Sequence, residues 1–145
     1  GPLRDRDLEL VLVKTAPANP AKGHVPAYMF EMRRGSAAGA AGRISLRIGT
    51  DDRLTRYAGH IGYNVAAAHR GNRLAARSVR LLLPLAKRHG IDPLWITCNP
   101  DNPASRRTCE LAGGSYIETV DVPEDDEIHR KGDHRKCRYR FDLST

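Results

Sequence analysis

Apolar and polar positions alternate from Leu8 to Thr15, with Leu8, Leu10 and Leu12 set against Val11 and Val13. A period of two with β-branched residues predicts a first strand, which Pro17 and Pro20 end. Val25–Arg33, carrying Tyr28 and Phe30, reads as a second strand and Arg43–Ile48 as a third. Between them Gly35–Gly42 is built from Gly, Ala and Ser and reads as a flexible turn. Thr50–Arg53 is a polar loop, and Gly59–Val65 gives a fourth strand. The opening part of the chain is therefore expected to be an antiparallel meander.

The period changes at Asn72 and stays helical to His89. Ala75, Val79, Leu82 and Ala86 share one face with Leu74, Leu81 and Leu85 beside it, while Arg73, Arg77, Arg80 and Arg88 fall on the other, in water. Pro84 should kink this helix and Gly90 should end it. Leu94–Cys98 is a short buried strand expected to lie parallel to the fourth, since a crossover helix joins them. Asp101 or Asn102 caps a second helix with Pro103 in its first turn, and Gly113-Gly114 closes it. Ser115–Val122 is a sixth strand. The acidic Glu124–Glu127 and basic His129–Lys136 form a mobile connection, and Arg138–Leu143 is the last strand. These elements predict one α+β domain over residues 3–145: a mixed, mostly antiparallel sheet of about seven strands whose C-terminal half is β-α-β-α-β. Gly1-Pro2 is read as a remnant of tag cleavage.

Composition narrows the class. The chain has 145 residues, 40% hydrophobic and 28% charged, the mixture of an ordinary globular domain. No apolar run suits a membrane span and no signal core is seen, so a cytoplasmic protein without membrane contact is expected. Cys98, Cys109 and Cys137 are odd in number and unpaired in spacing, which argues for a reducing compartment. His129, His134 and Cys137 match no zinc spacing, and no metal is expected. The net charge of +7 is unevenly placed: between Gly59 and Ile91 there is no Asp or Glu, while Arg70, Arg73, Arg77, Arg80, Lys87 and Arg88 all fall there. That asymmetry implies a polyanionic ligand, either a cofactor phosphate or a nucleic-acid backbone.

The strand His60–Val65, the turn at Gly71 and the helix that follows bring free backbone N–H groups to one point. Such a point suits a phosphate, and Arg70 and Arg73 stand beside it.

This order of elements resembles the GCN5-related N-acetyltransferase (GNAT) superfamily, with a reduced N-terminal helical region. The family's cofactor motif is Arg or Gln, two residues, Gly, one residue, then Gly or Ala. Arg70-Gly71-Asn72-Arg73-Leu74-Ala75 matches it at Arg70 and Ala75 but carries Arg73 at the usual glycine. Gly59-His60-Ile61-Gly62-Tyr63 resembles the family's fourth strand, nearest to members that acetylate protein N-termini and ribosomal proteins. Asn102-Pro103-Ala104-Ser105 through Gly113 resembles the signature after its fifth. The resemblance implies acetyl-coenzyme A as co-substrate. Main-chain groups near Tyr63, Val65 and Ala66 would pair with the pantetheine arm between splayed strands, as a strand would. The N–H groups from Arg70 through Gly71, Asn72, Arg73 and Leu74 to Ala75 would hold the pyrophosphate, and Asn102 and Ser105 would line the opposite wall.

Acetyl transfer needs a neutral amine, hence a base. His60 is the candidate, against the plainer reading of a hydrogen-bonded strand histidine. Cys109 stands where many members have a tyrosine and is a candidate acid for the leaving thiolate, against that of a small buried hydrophobe; Ser105 or a water is the alternative. Tyr28, Tyr63 and Tyr116 are expected in the core or cleft, and Trp95 in the core. Glu118 and Asp121 are weighed as attracting a cationic amine, against a solvated strand face. Only about ten residues separate the first two strands, too few for the helices that wall the acceptor site in relatives, so that cleft should be open or completed by a second copy of the chain. The resemblance implies that the acceptor is a primary amine, on a small molecule or a protein N-terminus. Rival readings are an acyl-coenzyme A binder with little catalysis, a basic nucleic-acid-binding module, which few aromatics and no motif support, and an acetyltransferase acting on charged RNA.

Overall fold

In the computed structural model, which describes residues 3–35, 39–71 and 73–144, the alternating segments of the first half form one antiparallel sheet. Its strands are β1 (Leu3–Asp5), β2 (Leu8–Ala16), β3 (Ala27–Arg34), β4 (Gly42–Arg47) and β5 (Ile61–Val65), hydrogen-bonded in that order. Leu8, Leu10, Phe30, Met32, Ile44, Leu46 and Ile61 are buried and packed in one core, because a period of two sends alternate side chains to the same face. Helix α1 (Leu74–Arg88) covers that face with Leu74, Val79, Leu82 and Ala86. Strand β1, too short to show alternation, is not foreseen by the sequence. It is held by Arg77 of α1, whose guanidinium meets Asp5 and Asp7 at 2.7 Å each. Arg77 is thus an ion-paired tie, not a charge in open water.

The second half forms a three-stranded antiparallel sheet of β6 (Leu94–Cys98), β7 (Ser115–Asp121) and β8 (Arg135–Phe141), in the order β6-β8-β7. Helix α2 (Pro103–Leu111) is capped by the Asn102 side chain, which accepts from the Ser105 N–H at 3.1 Å. Its residue Cys109 joins the core under β6 and β8. Hydrogen bonds from the chain leading into β5 to strand β6 stitch the two sheets at His60 and Trp95. The His60 N–H donates to the Trp95 carbonyl at 2.7 Å and the Trp95 N–H donates to His60 Nδ1 at 2.9 Å. Beyond that stitch no ladder joins β5 to β6 among the described residues. The expected parallel neighbours are therefore splayed rather than paired.

Three connections decide what surrounds this opening. Between β2 and β3 the chain makes only a 3₁₀ turn, Pro20–Lys22, so no helix covers the outer face of the sheet there. Leu54–Ala58 forms a π-helical turn that the polar loop at Thr50–Arg53 does not announce. Gly59, at φ 77°, then lets the chain pass close to β6, where a Cβ would stand 3.0 Å from the Thr97 nitrogen. The acidic and basic connection before β8 is not the mobile segment expected. It contains α3 (Glu127–Arg130), capped by Asp126, whose carboxylate accepts from the Ile128 N–H at 2.8 Å and from Arg53 at 2.9 and 3.2 Å. Trp95 is only half-buried, with the Arg138 guanidinium 3.9 Å above its ring. Among the described residues no helix is long and apolar enough to cross a membrane.

Candidate active site

A cleft of about 500 Å³ opens between β5, the turn after it, the N-terminus of α1 and α2. Tyr63, Val65, Arg70, Gly71, Arg73, Leu74, Ala75, Asn102 and Ser105 all line it. So do Asn64, His69, Ala104 and Thr108, which the sequence reading did not single out. Asn64 and Thr108 lie within the strand and helix already implicated, so counting along those elements would have found them. Asn72 lies outside the described residues.

The backbone along the cleft is unevenly committed. Antiparallel pairing alternates, and the Arg47 N–H to His60 carbonyl and Ala66 N–H to Ala41 carbonyl bonds fix which residues of β5 face β4. Gly62 and Asn64 face β4, so the backbone groups of Tyr63 and Val65 face the gap toward β6. Arg70 Nε donates to the Val65 carbonyl at 3.2 Å. The Tyr63 N–H and carbonyl and the Val65 N–H have no partner among the described residues. Ala66 departs from the expectation: its N–H is taken by Ala41, and its carbonyl accepts from the His69 N–H at 2.9 Å. Its N–H is not left for a ligand, and its carbonyl already accepts once. The Arg70 N–H is likewise engaged, by the Ala67 carbonyl at 3.3 Å.

At the other end of the cleft, α1 begins without a side-chain cap. The N–H groups of Gly71, Arg73, Leu74 and Ala75 find no acceptor among the described residues, and the first turn carries no acidic residue. Uncapped N–H groups together with the helix dipole are the chemistry that suits an anion. Arg73 sits at φ 56°, ψ 27°, the left-handed region that L side chains other than Asn and Asp seldom enter. The backbone therefore demands here what glycine gives freely, and the arginine holds the same conformation under strain.

The catalytic candidates occupy different places. His60 is 1% exposed and absent from the cleft lining. Its Nδ1 accepts from Trp95, which puts the proton on Nε2, 3.0 Å from the Gly49 carbonyl that accepts it. Burial lowers its pKa from the usual imidazole value. With both nitrogens committed, the ring joins β5 to β6 and has no lone pair free for an acceptor's proton. Cys109 is fully buried behind the cleft wall. A hydrogen bond to Cys98, then burial, hold its thiol protonated far above the ordinary range; what sets it apart from the Tyr63 and Ser105 hydroxyls is its place, since it does not reach the cleft. Ser105 does face the cleft, where its Oγ lies 2.7 Å from the Tyr63 hydroxyl. Burial pushes the Tyr63 hydroxyl's pKa up, and it remains a donor at neutral pH.

Among the described residues no group of His, Cys, Asp and Glu is arranged to hold a metal. The His129 and His134 rings stack 4.0 Å apart, but the Cys137 sulfur is buried against the Thr119 hydroxyl.

Residues 4–115 match the family model of the acetyltransferase (GNAT) domain. No curated protein matches the chain. Among solved structures, the chain superimposes on the RimL ribosomal α-N-protein acetyltransferase in complex with coenzyme A with a TM-score of 0.69 at 16% identity, covering 99% of this chain and 100% of that one. The microcin C7 self-immunity acetyltransferase MccE, in complex with acetyl-CoA and AMP, gives 0.62 at 19% identity, covering 80% of this chain and 61% of that one. The acetyltransferase-like yncA of Salmonella typhimurium, with acetyl-CoA, gives 0.58 at 16% identity, with 81% and 65% covered. These likenesses establish the fold.

Proposed function

From the premise that the chain belongs to the GNAT acetyltransferase family, we propose that it moves an acetyl group from acetyl-coenzyme A to a primary amine by direct attack within a ternary complex. The observation that carries this reading is the unpaired edge of β5 at Tyr63 and Val65 leading to the uncapped, acid-free start of α1. An extended chain of amides followed by a pyrophosphate fits that sequence of donors and acceptors.

When bound, the cofactor supplies an acetyl group activated as a thioester. The Tyr63 N–H and carbonyl and the Val65 N–H would hold the pantetheine amides. The N–H groups of Gly71, Leu74 and Ala75 would hold the pyrophosphate, with the Arg73 guanidinium beside them. With the Tyr63 O–H donating to Ser105 Oγ, the Ser105 proton, on the cleft side, would be the one offered to the departing thiolate. His60 keeps β5 and β6 joined below the opening. We assign it a positioning role in place of the base. Cys109 backs the wall that carries Tyr63 and Ser105. The acceptor amine must then arrive neutral or lose its proton to water.

Calorimetric titration with acetyl-coenzyme A, followed by thiol release across a panel of amines and short peptides, tests this. Binding followed by release with at least one amine is expected. Absence of binding overturns the reading. Binding without release favours the acyl-coenzyme A binder, which the engagement of His60 and the burial of Cys109 make the second reading.

A further inference from the structure

On the face of β5 away from the cofactor cleft lies a second pocket, of about 450 Å³, bounded by the ends of β2 and β3, the π-helical turn and α3. Side chains alternate along a strand, so Gly62 looks toward this side while Tyr63 and Val65 look into the cleft. Arg47, at the end of β4, lies over Gly62: a Cβ there would stand 2.9 Å from Nη2 and 3.5 Å from Cζ.

Arg47 is not balanced. Its Nη1 donates to the carbonyls of Ala58 and Gly59 at 3.1 and 3.0 Å. Nε and Nη2 have no partner among the described residues, and no carboxylate pairs with this guanidinium. The carboxylates nearby are already held: Asp126 by Arg53, Glu127 by Lys131 at 3.0 Å, and Asp133 by the Asn99 amide at 2.8 Å and Lys136 at 3.6 Å. Of the cations that line the pocket, Arg53, Lys131 and Lys136 are thus each paired with a carboxylate, and Arg47 alone has none among the described residues. Burial and the like charge of Arg53 both disfavour the charged form of Arg47. Arg47 is partly buried, and a partly desolvated cation without a counter-ion gains from a ligand anion.

We infer that the acceptor carries an anionic group, a carboxylate or a phosphate, besides its amine, and that Arg47 binds this group in the second pocket. The remaining edge of a guanidinium presents two parallel N–H donors, which match either anion. Gly62 adjoins Tyr63, so an anion on Arg47 holds a small acceptor beside the part of β5 that borders the cofactor cleft. Arg47 then sets specificity. This rests on the acetyl-transfer reading above.

The test is calorimetry of the coenzyme A-saturated protein with matched amines: β-alanine against β-alaninamide for carboxylate, and O-phosphoethanolamine against ethanolamine for phosphate. The anionic member of at least one pair is expected to bind roughly tenfold tighter or more. Arg47→Gln should abolish that preference while coenzyme A affinity is kept. Neutral members binding as well as anionic ones, or a preference that survives Arg47→Gln, overturns the inference. If Arg47→Gln does not fold, Gly62→Ala crowds Nη2 and must cut the preference, and an undiminished preference in that variant also overturns it. Coenzyme A that fails to bind the wild type removes the acetyl-transfer reading and this inference with it. Coenzyme A that binds without any anion preference removes this inference alone.

Discussion

Replacing Arg73 by glycine separates two roles that the same position combines. The residue holds φ 56°, ψ 27° at the mouth of α1, and a left-handed conformation costs an L side chain roughly 1–2 kcal/mol. Glycine relieves that strain but loosens the unfolded chain, an opposing effect of about 0.4–1 kcal/mol. The net is a stabilisation of up to about 1.5 kcal/mol, which for a domain near this size raises the melting temperature by about 2–4 °C per kcal/mol. The guanidinium is lost at the same time, and coenzyme A affinity should fall about two- to tenfold at low salt, with the difference shrinking as salt is raised. Arg73→Ala is the control, since alanine suffers the same left-handed strain without the charge: it should lose the affinity and gain no stability. Calorimetric melting and coenzyme A titration of the three proteins decide the matter. A glycine variant that melts below wild type refutes the strain. Both variants binding coenzyme A as tightly as wild type at low salt refutes the phosphate contact.

His60→Ala strands the Trp95 N–H and the Gly49 carbonyl and removes a buried ring, so denaturant titration should show a loss of about 3 kcal/mol; a loss under about 1 kcal/mol contradicts the stitch. Because burial depresses the His60 pKa below its usual 6.5, the unfolded chain binds the proton more readily. Its contribution to stability should be complete above pH 6.5 and fall away as pH drops from there through the lowered folded value, a slope that His60→Ala should lack. Tyr63→Phe breaks the hydroxyl pair with Ser105 and should lower kcat about tenfold or more with coenzyme A affinity nearly kept; unchanged kcat would discount the pair. Cys109→Ala should cost about 1 kcal/mol in stability and leave kcat within about threefold, whereas a collapse of kcat alone would restore the thiol as acid.

The core was legible because its signals are periodic. Leu8, Leu10, Phe30, Ile44 and Leu46 mark one sheet face by alternation, and Ala75, Val79, Leu82 and Ala86 mark the helix face that covers it. That Tyr63, Val65, Arg70, Gly71, Arg73, Leu74 and Ala75 would line one cleft was legible for a related reason: they are close in sequence, so one strand-turn-helix brings them together. What stayed hidden depends on partners far along the chain. Nothing near His60 announces that its ring will meet Trp95 and Gly49, or that Ala66 will give its N–H to Ala41. The π-helical turn at Leu54–Ala58 has no periodic signature. The connection before β8 looked mobile because its charges looked solvated, yet Asp126 is fixed by Arg53 from across the fold. Arg47 looks like an ordinary strand residue in the sequence; the structure shows that none of the described carboxylates pairs with it.

Residue-resolved amide hydrogen exchange with and without coenzyme A tests the central claim most directly. The amides of Tyr63 and Val65, and of Gly71, Leu74 and Ala75, should become protected on binding. Those of Gly62 and Asn64, already bonded across to β4, and of Ala66, bonded to Ala41, should change little. Protection elsewhere, with the first group unchanged, would contradict the account.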